Sequence, residues 1–152
     1  MGLASALVLA GDLAGLDRLA AEAKDKDVFR HAGASLANKE KFEGALKLLQ
    51  RARQLQPEQL QVRINLAYVY EQLKRADMAE QTFREAKDDV TLKRDPLFAS
   101  MLYRYGLFLQ QQPGRQRDAM AVFNDALSLN LDVESRKAIT GAAAALQAKL
   151  SS

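Results

Sequence analysis

The sequence predicts an all-α protein, built as a solenoid of antiparallel helix pairs with a capping helix at its C-terminal end. Its 152 residues include only eight glycines and three prolines, and alanine, leucine and glutamine are abundant, which is typical of helical proteins. Apolar residues recur at three- and four-residue steps, and whole segments repeat after 34 residues. A repeated helix pair cannot bury its apolar stripe alone, so each pair needs neighbours on both sides.

Residues 60–86 form the centre of this pattern and predict two helices of about three turns each. The apolar positions of the first helix share one face, namely Val62, Leu66, Val69, Tyr70 and Leu73. The second helix carries small residues around one aromatic, at Ala76, Ala79, Phe83 and Ala86. Alanine lets two helix axes approach closely, and Phe83 fills the gap between the small residues. We expect the core to include Phe83, Leu49, Tyr70, Phe108 and Phe123.

The repeat period can be followed residue by residue. Ala45, Leu49, Ala52 and Pro57 lie 34 residues before Ala79, Phe83, Ala86 and Thr91. A third unit has matching residues at Tyr105, Gly106, Leu109, Ala119, Phe123 and Ala126. This pattern resembles the tetratricopeptide repeat, a helix–turn–helix unit of about 34 residues. The resemblance implies a right-handed superhelix with a concave groove that is lined by the first helix of each pair.

We expect a single domain over residues 1–152. Its predicted parts are a degenerate helix pair (1–25), three repeats (26–58, 59–94 and 95–131) and the capping helix (132–150). The third repeat departs from the others, because the connection from Asp88 to Asp95 is long and the turn at Pro113 has one extra residue. Asp95 and Pro96 are typical of a helix start, and Asp132 is expected to cap the last helix.

Composition and motifs favour no catalytic or metal-binding function. The chain has no cysteine and a single histidine, His31, and the sequence contains neither a phosphate-binding loop nor the spacing of a metal site. We therefore predict no enzyme, no catalytic residue, no cofactor and no metal. The net charge of +3 is spread along the chain, which argues against nucleic-acid binding. No apolar run is long enough to span a membrane, and we expect a cytoplasmic protein.

The predicted groove carries side chains suited to binding a protein or peptide. The resemblance places six of them on the inner face: Arg30, His31, Asn65, Tyr68, Tyr103 and Arg104. Asparagine can bind a peptide backbone with one donor and one acceptor, and arginine can bind carboxylates with two parallel hydrogen bonds. Tyrosine offers flat contact area that loses little conformational entropy on binding.

One subgroup of the family clamps the C-terminal carboxylate of heat-shock chaperones with Lys, Asn, Asn, Lys and Arg. Arg30 stands where the first Lys would be, while Asn65 and Arg104 match the second Asn and the Arg. Ala34 and Ser100 occupy the other two positions and cannot make those contacts.

Two functions follow from these observations. The first is a protein–protein interaction module that holds an extended peptide or a helix of a partner protein in the groove, as an adaptor, a co-chaperone or a client chaperone. The alternative is a structural scaffold subunit of a larger assembly, which would use its convex face or the last helix. The alanine run from Ala142 to Ala145 in that helix is either a packing face or a docking face for another subunit. Homo- or hetero-oligomers are compatible with both functions.

Overall fold

The computed structural model describes residues 2–152, apart from the side chain of Leu13, and this part of the chain contains helices and no strand. The helices are α1 (Leu3–Leu9), α2 (Leu13–Glu22), α3 (Val28–Asn38), α4 (Phe42–Leu55), α5 (Leu60–Gln72), α6 (Ala76–Asp88), α7 (Phe98–Gln110), α8 (Gln116–Leu127) and α9 (Val133–Leu150). A short 3-10 helix, Val90–Leu92, lies between α6 and α7. The predicted all-α class is confirmed. The chain divides into two units, Met1–Thr82 and Phe83–Ser152.

In the first unit, α1 packs against α2, α3 and α4, and α4 packs against α3 and α5. The helices α3 and α4 approach closely because Gly33 has no side chain: a Cβ there would lie 2.7 Å from Cγ of Leu49. Leu49 itself is fully buried, as is Phe29 on α3. Gly33 therefore has, at this contact, the same role that the sequence predicts for the alanines of residues 76–86.

Three turns in the first unit share one geometry. Gly11, Glu40 and Lys74 all have a positive φ, of 73°, 60° and 61°. In each turn the next residue donates its N–H to a carbonyl five residues back, at distances of 2.9 Å, which is the Schellman ending of a helix. Glu40 and Lys74 are 34 residues apart, so the sequence period is also a period of backbone conformation.

In the second unit, α8 packs against α7 and α9, and α7 also contacts α9. Gly106 on α7 lies against the ring of Phe123 on α8, and any Cβ there would overlap that ring. The Phe83 ring stacks on Tyr105 with centroids 5.2 Å apart and lies 5.7 Å from Phe108. The expected core residues are buried: Leu49, Tyr70, Phe83, Phe108 and Phe123.

Of the two helix starts predicted from the sequence, one is confirmed and one lies at a different residue. Asp132 caps α9, since its carboxylate accepts the Ser135 N–H at 2.7 Å. By contrast, α7 begins at Phe98 rather than at Pro96. The Asp95 carboxylate accepts the Leu97 N–H at 2.8 Å, and this local turn delays the start of the helix.

Burial of α5 and α9 differs from the single-face prediction. Leu60, Arg63, Ile64 and Ala67 are buried in addition to the expected face of α5, so this helix is enclosed on most sides. Ala76, predicted to pack, is exposed at the start of α6. In the alanine run of α9, Ala143 is buried and Ala142 half-buried, while Ala144 and Ala145 are exposed. No helix within the described residues is long and apolar enough to cross a membrane.

Candidate interaction surfaces

Arg30 and His31 lie in the first turn of α3, in the first unit. The Arg30 guanidinium forms an ion pair with Asp27 at 3.4 Å and lies 3.5 Å from Nε2 of His31. The side-chain amide of Gln56 and the Arg30 guanidinium lower the pKa of the Asp27 carboxyl below its usual value. The positive charge of Arg30 is therefore partly balanced within the protein, and His31 is exposed beside it.

Asn65 and Tyr68 lie on α5, one turn apart. The Gln61 amide donates a hydrogen bond to Oδ1 of Asn65 at 2.9 Å, which orients the Asn65 amide nitrogen as a free donor among the described contacts. The Tyr68 side chain is 39% exposed, and its ring meets the Phe42 ring edge-on, with centroids 6.2 Å apart. Because Phe42 supports one edge of the ring, Tyr68 presents an ordered aromatic surface.

Tyr103 and Arg104 lie on α7 in the second unit. The half-buried Tyr103 ring is 6.2 Å from the Phe123 ring, tilted by 43°. Arg104 is exposed and forms no ion pair or side-chain hydrogen bond with any described residue. Unlike Arg30, Arg104 therefore carries a positive charge that the protein leaves unbalanced.

The six predicted groove residues are thus divided between the units. Arg30, His31, Asn65 and Tyr68 lie on α3 and α5, two helices that contact each other, while Tyr103 and Arg104 lie on α7. That all six line one groove stays a prediction. In the described part of the chain, no cluster of three or more His, Asp or Glu residues could hold a metal ion.

Sequence reasoning missed two features of potential function. One is Phe42, whose role as a support for Tyr68 depends on the packing of α4 against α5. The other is a pocket beside the long connection between α6 and α7. The only feature of the sequence that pointed to this pocket is the unusual length of the connection.

The relation of the chain to known proteins follows from two comparisons, whereas a third, with curated proteins, gave no match. Residues 36–102 match the family model of the tetratricopeptide repeat. A structure of a MamA mutant aligns with a TM-score of 0.61 and 22% identity, over 86% of this chain and 94% of that chain. A second MamA mutant aligns with a TM-score of 0.59 and 22% identity, over 97% and 84% of the two chains.

At this identity the MamA structures establish similarity of fold alone. Together with the helix pairs, the tight glycine contacts and the period of the turns, they confirm the predicted helical-repeat architecture. The tetratricopeptide-repeat match over residues 36–102 supports a role in protein–protein interaction or as a scaffold. The chain has a helical-repeat fold similar to that of the MamA structures, and its residues 36–102 match the sequence pattern of the tetratricopeptide repeat.

Proposed function

We propose that the protein binds an extended peptide or a helix of a partner protein through the exposed faces of α3, α5 and α7. The binding residues are Arg30, His31, Asn65, Tyr68, Tyr103 and Arg104. The protein would act as an adaptor, a co-chaperone or a client chaperone, and it would contribute contacts rather than catalysis.

The ordered pair of Asn65 and Tyr68 is the observation that carries this proposal. Both side chains project from a helix that is buried on most of its surface, yet Asn65 is only half-buried and Tyr68 is exposed. Gln61 orients the Asn65 amide and Phe42 supports the Tyr68 ring. Side chains that are held in place before binding lose little conformational entropy when a partner arrives.

The charges on α3 and α7 favour different contacts. Arg30 already forms an ion pair with Asp27. It is therefore suited to donating a further hydrogen bond to an uncharged polar group of the partner. Arg104 has no such pair among the residues described, and it is suited to a carboxylate of the partner, which its guanidinium can bind with two parallel hydrogen bonds. We therefore expect an acidic residue or a chain terminus of the partner near Tyr103 and Arg104.

Affinity capture from a native extract tests the two parts of the surface separately. Asn65→Ala/Tyr68→Ala removes the contacts on α5, and Arg104→Glu reverses the charge on α7. Arg117→Glu is the matched control, because Arg117 is also exposed in the second unit and lies on α8. We expect both groove variants to lose at least 80% of a captured partner, on the order of 1 kcal/mol or more, while the control keeps it. Circular dichroism should show that all three variants are folded.

A scaffold role through α9 is the second candidate. One face of this helix packs on α7 and α8, and Val133 at its start is 80% exposed. Gly141, Ala144 and Ala145 are exposed, and a Cβ at Gly141 would have no described atom within 4 Å apart from its chain neighbours and the nearby backbone of α9. In the same capture experiment, loss of the partner in Ala145→Glu, with full capture in both groove variants, would replace the groove proposal with the scaffold proposal.

A further inference from the structure

The second unit contains a pocket of about 420 Å³ where the end of α6, the start of α7 and the end of α8 meet. We call it the connector pocket, because the long connection between α6 and α7 borders it through Lys93. Its apolar floor consists of Phe98 and Leu102, which are 5% and 2% exposed, with Leu129 beside them. The six groove residues do not line it.

The connection that borders the pocket is fixed by local hydrogen bonds. At its start, the Asp89 carboxylate accepts the N–H of Thr91 at 3.0 Å and the Thr91 hydroxyl at 2.6 Å. Leu92 anchors its middle, since this side chain is only 3% exposed. At its end, the Asp95 carboxylate accepts the Leu97 N–H. The backbone that carries Lys93 is therefore ordered.

Of the four charged residues that line the pocket, two form an ion pair with each other and two have no described partner. Lys87 on α6 and Asp125 on α8 lie 3.4 Å apart, and they neutralise each other. Lys93 and Asp88 also line the pocket, but neither side chain has a hydrogen bond or ion pair with a described residue. A ligand would therefore meet an apolar floor with one free ammonium group and one free carboxylate at the rim.

Two exposed apolar residues are close in sequence to residues that line the pocket. Val90, 72% exposed, lies one turn before Lys93 on the connection, and the Lys93 N–H donates to its carbonyl at 3.4 Å. Val133, 80% exposed, follows four residues after Leu129. Exposed apolar side chains near a pocket are typical of surfaces that bind other protein chains, which favours a chain segment as the occupant.

We propose that the connector pocket is a second peptide-binding site, one that receives a large apolar side chain flanked by an acidic residue of a partner protein. The apolar side chain lies on Phe98, Leu102 and Leu129. The acidic residue pairs with Lys93, and Asp88 accepts a backbone N–H of the bound segment. None of the six groove residues lines this site, so its test is separate from that of the groove.

The test uses the peptide acetyl-Gly-Asp-Phe-Asp-Gly-amide, titrated into the full-length ¹⁵N-labelled protein and followed by amide chemical shifts. We expect saturable shifts at Lys93, Leu102 and Leu129, with a Kd on the order of 1 mM for so short a ligand. Peptides with Asn in place of both Asp residues, or with Ala in place of Phe, should bind at least threefold more weakly. Lys93→Glu should weaken binding at least threefold, whereas Lys137→Glu, an exposed lysine on α9, should leave it unchanged.

Three results would overturn the proposal. The first is a lack of saturable shifts at these amides at about 10 mM peptide, roughly ten times the expected Kd. The second is equal binding to the Lys93→Glu and Lys137→Glu variants, which would exclude the charge contact. The third is equally tight binding of 3-phenylpropionate, which would identify a small carboxylate rather than a peptide as the ligand. Shifts confined to Asn65, Tyr68 and Tyr103 would count as the first result and would assign the peptide to the groove.

Discussion

The two units differ in how regularly they follow the 34-residue repeat. In the first unit the turns at Glu40 and Lys74 have the same backbone conformation and the same hydrogen bonds, and the α4–α5 connection is short. In the second unit the turn after α7 is longer, and the connection before α7 contains an extra 3-10 helix. The regular unit positions its candidate residues on helix faces, whereas in the second unit the irregular connection itself borders the connector pocket. The regular repeat of helix pairs determines the fold, and where the chain departs from that repeat, as in the α6–α7 connection, it forms an additional surface.

The largest expected effect comes from the glycines that allow close helix contacts. Gly106→Ala forces a methyl group into the Phe123 ring, and we expect a loss of about 3 kcal/mol of unfolding free energy. Gly33→Ala meets Leu49, whose side chain can shift, and should cost about 2 kcal/mol. Urea unfolding measures both values.

Gly141→Ala is the matched control, because the new methyl group meets no described atom within 4 Å apart from its chain neighbours and the nearby backbone of its own helix. It should instead stabilise the protein by about 0.5–1 kcal/mol, through higher helix propensity. Equal losses in all three variants would show that the glycine contacts do not determine the packing of either unit.

Substitutions in the turns should change the unfolding free energy by less, and they compare the turns of the first unit with the turn of the second. Glu40 and Lys74 adopt a left-handed conformation that is costly for residues with a side chain. We expect Glu40→Gly and Lys74→Gly to stabilise the protein by about 0.5–1 kcal/mol each, whereas Gly114→Ala, at φ 73° in the second unit, should destabilise it by about 1 kcal/mol. Thermal unfolding would contradict the shared geometry if the two turns of the first unit responded with opposite signs.

The smallest effect concerns the cap of α9. Hydrogen bonds from the N–H and the hydroxyl of Ser135 lower the pKa of the Asp132 carboxyl. Because the folded pKa lies below the unfolded value, the stabilisation is present above the unfolded pKa, near about 3.9, and is lost as the pH falls through the folded pKa. The stability difference between wild type and Asp132→Asn should therefore shrink between about pH 5 and pH 2. A constant difference over this range would exclude the ionised cap.

Much of the fold could be predicted from local patterns, because helices and their buried positions follow from spacing along the chain. Leu49 and Phe123 are buried as expected, and Asp132 caps its helix. Burial on most sides of α5 could not be predicted in the same way. It depends on how many other helices surround α5, whereas an apolar stripe in the sequence indicates packing on one face only.

The candidate sites were less accessible to sequence reasoning. Side chains such as Asn65 and Tyr68 could be assigned to a face by the repeat phase, but the groups that hold them, Gln61 and Phe42, emerge only from packing. Arg63 is a similar case: it is 9% exposed and donates to the Pro57 carbonyl at 2.9 Å, although arginine usually favours the surface. The long connection could be detected by length, but the pocket beside it depends on how that connection folds back.

The connector pocket is lined by side chains from three helices, and this has a thermodynamic consequence. Phe98 and Leu102 come from α7, Lys87 from α6 and Asp125 from α8, so the site exists only while these helices are packed together. A segment that occupies it binds the folded state and not the unfolded chain, and it raises the melting temperature by mass action. At one hundred times its Kd such a segment would add about 2.7 kcal/mol. Thermal shift can therefore rank partner segments for this site without any measure of activity.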